Sequence, residues 1–367
     1  MVRAVVTGGG TSGHVIPAHA ILEALMDSGY QATELKYVGS RRGVEKNLMK
    51  DAPWESQYLP ISGLQRSLSV SSLLKNVALV WRLVHSRFLA HRLMKTWQPD
   101  VVVSVGGYAS QPMASAAKSF DVPLVCVSYD RIPGLATRRQ ARYAKVCTVA
   151  FADTVLPRSV HTGAPVRREM RQLDIAGHRV AARQRLGIAP DAKCLAIVGG
   201  SLGSGLLNNA VSDIAQSISS SGEVVLFHVC GPRNEKDVEP VIPSHVTYIR
   251  RGYMSEMADL YAACDVLLAR AGASTVAEIA TVGIASILVP WADATENHQM
   301  LNAMWLSDQG GAVLLVEDEL KTADGVRKIL EVLENAQSQK SLASAAYGLG
   351  ALHRGPSLVA AIQNATA

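Results

Sequence analysis

The stretch Arg270-Ala-Gly-Ala-Ser-Thr-Val-Ala-Glu-Ile-Ala280 is where this chain could hold an anion. It follows the apolar run Val266-Leu-Leu-Ala269, which reads as a buried parallel strand, and Gly272 permits a tight turn into a run of helix formers. Ser274 and Thr275 then stand at a helix start, on its first turn with Glu278. N–H groups without helical partners and the positive end of the helix dipole favour a phosphate there. Glu278 cannot itself hold phosphate, but its carboxylate suits a sugar hydroxyl beside one. The ordinary alternative is a capping box, Thr275-x-x-Glu278.

A second glycine loop, Gly8-Gly-Gly-Thr-Ser-Gly-His14, follows the strand Ala4-Val-Val-Thr7. It fits G-x-G-x-x-G, but a dinucleotide site also wants an acid at the end of the second strand. That strand ends Tyr37-Val-Gly-Ser40, and its one acid, Glu34, falls mid-strand. A different phosphate or sugar site fits this loop better. His14 and Pro17 at the start of the following helix are unusual for a dinucleotide fold.

The elements that position these loops form two series. In the first, Val15 to Ser28 reads as a helix, Ser71 to Trp97 as a long helix, and Pro99 to Tyr108 as a strand ending in a glycine loop. Val122 to Val127, Ala144 to Ala150 and Asp153-Thr-Val-Leu156 read as further strands, and His161 to Arg167 as a connection between domains. In the second, Cys194-Leu-Ala-Ile-Val198 leads into the loop Gly199 to Gly205 and a helix from Leu206. Strands at 224–229, 246–249, 266–269, 285–289 and 312–315 follow, then helices from Ala323 onward. The pattern predicts an α/β protein of two doubly wound, Rossmann-like domains, 1–164 and 165–367, facing each other across a cleft, with the terminal helices able to pack back on the first domain. Ligands then sit at the C-terminal ends of the strands.

Composition agrees with a folded chain: of 367 residues, 48% are hydrophobic and 18% charged. No apolar run approaches the ~18–20 residues of a membrane span, and the N-terminus lacks a signal-peptide layout. Five scattered cysteines without C-x-x-C spacing indicate neither zinc nor a disulfide framework, so a reduced, cytoplasmic protein is expected. The net charge of +5 hides a split, with Lys and Arg in large excess before residue 168 and acids in excess after it. One half therefore faces something anionic. No nucleic-acid motif is visible, which favours a membrane surface. In the long helix, Leu73, Leu74, Val77, Val80, Trp81, Val84, Phe88 and Leu89 recur at helical spacing, among Lys75, Arg82, Arg87, Arg92 and Lys95. A core-facing helix with a solvated basic face and a membrane-surface helix both fit; the charge of this half favours the membrane.

Six motifs in one order resemble the MurG family of peptidoglycan N-acetylglucosaminyltransferases, which have the GT-B fold. They are Gly8 to His14, Val-Gly-Gly-Tyr108, Gly-Ala-Pro-Val-Arg167, Gly-Gly-Ser-Leu-Gly203, Arg270 to Glu278, and His298-Gln-Met-Leu-Asn-Ala303. The resemblance implies transfer of GlcNAc, with inversion, from UDP-GlcNAc to the C4 hydroxyl of lipid I, undecaprenyl-pyrophosphoryl-MurNAc-pentapeptide. The product is lipid II, made at the cytoplasmic membrane face with neither metal nor cofactor. It implies donor contacts from Thr11, Ser12 and Gly13 at the GlcNAc and phosphate end, and from Arg167 and Ser201 to the nucleotide sugar. Met254 would hold the uracil, and Ala273, Ser274 and Thr275, with Val276 and Ala277 behind them, the phosphates. Glu278 would bind the ribose, Gln299 the GlcNAc hydroxyls, and Tyr108 would line the acceptor side.

His14 is then placed as the general base for the acceptor hydroxyl, the alternative being a histidine that only bonds backbone. One departure stands out. Where the family reads His-Glu-Gln-Asn, this chain has Val127-Ser-Tyr-Asp130. A carboxylate at Asp130, near a pyrophosphate, needs a proton or a partner such as Arg131 or Arg138, or is itself the base. Other readings are a transferase acting on another lipid or a natural product, a UDP-GlcNAc 2-epimerase of the same architecture, and a UDP-sugar-binding protein without turnover.

Overall fold

The computed structural model describes residues 2–41, 45–61, 70–219 and 222–366, and of residues 70–80 only the course of the backbone. The chain divides into two units, Met1–Arg168 with Gly355–Ala367, and Glu169–Arg354.

The first unit holds β1 (Ala4–Thr7), β2 (Leu35–Ser40), β3 (Glu55–Leu59), β4 (Val101–Ser104), β5 (Leu124–Ser128), β6 (Val146–Val149) and β7 (Ser159–His161). They form one parallel sheet in the order β3-β2-β1-β4-β5-β6-β7. The second unit holds β8 (Lys193–Val198), β9 (Val224–Val229), β10 (Val246–Arg251), β11 (Val266–Ala269), β12 (Ser286–Leu288) and β13 (Val313–Leu314). They too are parallel, in the order β10-β9-β8-β11-β12-β13. Each sheet thus reverses its direction of winding once, between β1 and β4 and between β8 and β11. At such a reversal the loops leaving the two strands part to opposite faces and open a crevice. All four glycine loops noted above leave these four strands.

Parallel strands covered on both faces must be apolar throughout. That explains the unbroken runs Val101-Val-Val and Val224-Val-Leu-Phe, whose residues are all buried. The edge strands β3 and β7 are the exception. β7 is exposed throughout and β3 is half-buried along most of its length, and neither carries an apolar run. Asp153-Thr-Val-Leu156, expected as a strand, is a turn instead. The Thr154 N–H bonds Phe151 C=O, and its hydroxyl bonds Arg131 C=O at 3.0 Å. Glu34 lies not mid-strand but in a 3₁₀ turn, Ala32–Glu34, where its carboxylate accepts from Gln31 N–H at 2.8 Å.

Helix α1 (Ser12–Asp27) buries Val15, Ala18, Ile21, Leu22 and Leu25, an apolar face at helical spacing. A short helix, α2 (Glu45–Leu48), follows β2, and the long helix α3 (Val70–Trp97) precedes β4. Of α3, Ala90, Leu93 and Met94 are buried, whereas Trp81, Val84 and Phe88 are 75%, 56% and 65% exposed. The core-facing alternative therefore fails for those three; among the described side chains of α3, those that are buried begin at Ser86. The side chains of Leu73, Leu74, Lys75, Val77 and Val80 lie outside the described residues. The last helix, Ser357–Asn364, belongs to the first unit, with Leu358, Val359 and Ile362 buried and α1 and β6 as neighbours. Arg168 ties the end of that unit to α1: Glu23 accepts its backbone N–H at 2.7 Å, and Asp27 its guanidinium at 2.7 Å. Among the described residues, no helix is long and apolar enough to cross a membrane.

Candidate functional site

In the first unit the loop after β1 turns through Gly10, whose φ of 97° suits glycine alone. A side chain there would also strike the Tyr108 ring, 2.4 Å from the position of its Cβ. Gly107, with φ 73°, lies under His14: a Cβ on it would meet the imidazole at 3.1 Å and Gly9 O at 3.0 Å. The loops after β1 and β4 thus interlock, and they bring His14, Tyr108 and the Thr11-Ser12-Gly13 turn together.

Thr11 caps α1 in extended conformation without bonding the backbone through its side chain. Its hydroxyl is instead 3.1 Å from His14 Nδ1. Burial pushes the imidazole below its ordinary 6.5, and the Asp130 carboxylate opposes that shift in part. Asp130, half-buried, follows β5. Arg131 beside it gives its guanidinium to Asp153, with Nε at 2.8 Å and Nη2 at 2.6 Å.

Pro17 explains a residue that sequence reasoning passed over. Lacking an N–H, it cannot bond the carbonyl four residues back, that of Gly13. The Tyr129 hydroxyl donates to Gly13 O at 2.7 Å instead, and the ring stands edge-on to His14 with centroids 6.3 Å apart. Burial, then the charge of Asp130, holds this hydroxyl protonated. The pairing of Pro17 with Tyr129 appears only once the fold joins α1 to the end of β5.

In the second unit the helix Ala273–Val282 follows β11, as expected, but Gly272 is its cap. Its first backbone bond runs from Val276 N–H to Gly272 C=O, which leaves the N–H groups of Ala273, Ser274 and Thr275 ahead of the ladder. Thr275 is therefore inside the helix, and the capping box with Glu278 does not form. Glu278 lies in the second turn rather than the first. It is 7% exposed, and the Tyr261 hydroxyl donates to its Oε2 at 3.3 Å. No acidic residue stands in the first turn, so the positive end of the dipole is unopposed within its own helix. Val276 and Ala277 are buried behind it.

Arg270, given no role of its own from sequence, binds this start to its surroundings. Its Nε donates to Ser204 Oγ at 3.0 Å, and its Nη1 to Val289 O at 3.1 Å and Glu317 Oε1 at 2.6 Å. Ser204 caps the helix Gly205–Gln216 and closes the loop that carries exposed Ser201. Met254 is buried beyond the end of β10. The Gln299 side chain is oriented by Trp291, whose backbone N–H donates to Oε1 at 3.0 Å. Since a backbone N–H can only donate, the Gln299 amide group is left to donate outward. Arg167 is half-buried at the end of the first unit.

Two family models match the chain. The glycosyltransferase family 28 N-terminal domain covers residues 4–149, and the glycosyltransferase family 28 C-terminal domain covers residues 194–357. The chain is 31% identical over 360 residues to a protein of Desulforamulus reducens, covering 95% of this chain and 94% of that one. It is 36% identical over 332 residues to one of Acidothermus cellulolyticus, covering 89% and 87%. Both are named UDP-N-acetylglucosamine--N-acetylmuramyl-(pentapeptide) pyrophosphoryl-undecaprenol N-acetylglucosamine transferase. Among solved structures, that of Acinetobacter baumannii MurG is similar at TM-score 0.72 with 26% identity, covering 99% of each chain.

Proposed function

The chain belongs to glycosyltransferase family 28, and from that we propose that it moves GlcNAc from UDP-GlcNAc to undecaprenyl-pyrophosphoryl-MurNAc-pentapeptide, a step of peptidoglycan synthesis. The observation that carries the donor half is the start of the helix Ala273–Val282. Three N–H groups stand ahead of the ladder, no acid opposes them on that turn, and a buried carboxylate follows at Glu278. Such a start holds the diphosphate, and it stabilises the charge that develops on UDP as it leaves. Glu278 takes the ribose, Ser201 and Arg167 the nucleotide sugar, and Met254 the uracil.

In the acceptor half His14 removes the proton from the C4 hydroxyl as the hydroxyl oxygen attacks the anomeric carbon, displacing UDP with inversion. Its depressed pKa keeps the imidazole neutral at neutral pH. With Nδ1–H donated to the Thr11 oxygen, Nε2 carries the free lone pair that a base needs. Tyr108 and the Thr11-Ser12-Gly13 turn line the same place. The direct test is incubation with UDP-GlcNAc, with and without a lipid I analogue. A disaccharide formed only with the acceptor supports the transfer, whereas sugar isomerising without it selects an epimerase and overturns the proposal.

Gln299 selects the sugar. Its outward amide meets the GlcNAc C4 hydroxyl, whose direction is inverted in GalNAc, so the wrong donor leaves polar groups unpaired. Gln299→Ala is expected to narrow the ratio of rates on UDP-GlcNAc and UDP-GalNAc. An unchanged ratio assigns the selection to another residue.

The lipid acceptor calls for a membrane surface, and α3 offers one. Trp81, Val84 and Phe88 are exposed on it, and Arg87 and Arg92 are exposed beside them. Each cation at an anionic bilayer contributes ~1 kcal/mol, screened by salt. Replacing Arg82, Arg87 and Arg92 by Glu is expected to release the protein from vesicles containing phosphatidylglycerol. Equal sedimentation of variant and wild type would place the contact elsewhere.

A further inference from the structure

Glu45 has no part in the reaction described so far, yet it is fully buried against the first glycine loop. Its Oε1 accepts the Gly10 N–H at 2.7 Å and the Ser40 N–H at 3.3 Å. Among the described residues, its Oε2 is buried with no hydrogen-bond partner. Burying a carboxylate with one oxygen unsatisfied opposes folding, so a residue serving stability alone would be better neutral. What the charge does supply is a strong acceptor for a turn that has none of its own.

The grip is close. A Cβ on Gly9 would fall 2.5 Å from Glu45 Oε1, and Tyr37 closes the other side by donating its hydroxyl to Gly8 O at 2.7 Å. The turn so held meets Tyr108 directly and His14 by way of Gly107: Gly10 backs onto the Tyr108 ring, and Gly9 O and the His14 imidazole both pack on Gly107.

We propose that Glu45 is a positioning residue, a carboxylate latch that fixes the Gly8–Gly10 turn and through it the placement of His14 and Tyr108. The proposal rests on the reading of His14 as the base. It has a further consequence for ligands. The Gly10 N–H is already taken by the chain's own carboxylate, so it is not available to a phosphate.

The test compares Glu45→Ala with Glu45→Gln in the full chain, by single-turnover transfer at saturating UDP-GlcNAc and by NMR titration of His14. Glu45→Ala is expected to slow transfer by roughly 10²-fold, the usual cost of misplacing a catalytic group by about 1 Å. UDP affinity should be unchanged, and the His14 titration should move up toward its ordinary value as the turn loosens. Glu45→Gln keeps an oxygen for the Gly10 N–H, and is expected to rescue most of the rate and the His14 titration. Should Glu45→Ala not fold, Glu45→Asp, which draws the carboxylate back by one methylene, is expected to give the same effects in weaker form. If Glu45→Gln moves His14 as far as Glu45→Ala, the effect is one of charge and the latch is overturned. Wild-type rate and titration in Glu45→Ala overturn it as well. The titration arm stands even if the acceptor proves to be a different hydroxyl compound.

Discussion

Replacing His14 by alanine lowers the single-turnover rate of sugar transfer by roughly 10²–10⁴-fold, the usual worth of a general base, with UDP affinity little changed. The two effects separate because His14 and the helix start proposed to hold the diphosphate belong to different units of the chain. Only a neutral imidazole accepts the proton, so the rate falls as pH drops through the pKa of His14. Burial sets that pKa below 6.5, and Asp130 raises it part of the way back. Asp130→Asn removes the opposing charge while keeping the shape. It is expected to preserve transfer and to move the acid limb of the pH–rate profile further down. Loss of single-turnover chemistry in Asp130→Asn, with only a raised Michaelis constant in His14→Ala, reverses the roles of the two residues.

Glu278→Ala weakens UDP binding by about 1.5–3 kcal/mol, the range for a hydrogen bond to a charged group, or roughly 10–150-fold in Kd. The carboxylate is buried and already accepts from Tyr261. For the proposed ribose contact it is therefore oriented in advance, and little of the bond is spent on ordering a flexible side chain. Calorimetry with UDP alone reads this directly, since no acceptor is needed. An unchanged Kd assigns the ribose to another residue.

The parts of the site legible in sequence were those whose function is local. A glycine followed by helix formers after an apolar run places a helix start whatever surrounds it, and the segments after β1, β4, β8 and β11 all carry that sign. The register of the cap was less legible. Thr275-x-x-Glu278 has the spacing of a capping box, and only the observation that Gly272 is the cap puts Thr275 inside the helix. Roles that depend on distant partners left no trace at all. Glu45 is 35 residues from the Gly10 N–H it accepts, and Tyr129 is 116 residues from the Gly13 carbonyl that Pro17 leaves open. Each looks ordinary beside its neighbours in the chain. The edge strands β3 and β7 were missed for a related reason: a strand with one neighbour and a wet side needs no apolar run, and pairing rather than periodicity defines it. The exposed face of α3 had two readings because helical spacing of apolar residues reports a stripe, not what covers it.

The helix Ser357–Asn364 gives the chain an order of assembly. A ribosome releases residues in sequence, at roughly 5–20 per second in cells. The first unit buries Leu358, Val359 and Ile362 of this helix, yet all of Glu169–Arg354 is synthesised before it. The nascent first sheet therefore waits, with the surface meant for this helix uncovered, while the second unit emerges and folds on its own contacts. The unit that starts first is the one completed last. Chaperone demand during synthesis, and the damage done by a stop that removes Ser357–Asn364, accordingly fall on the His14 half of the molecule.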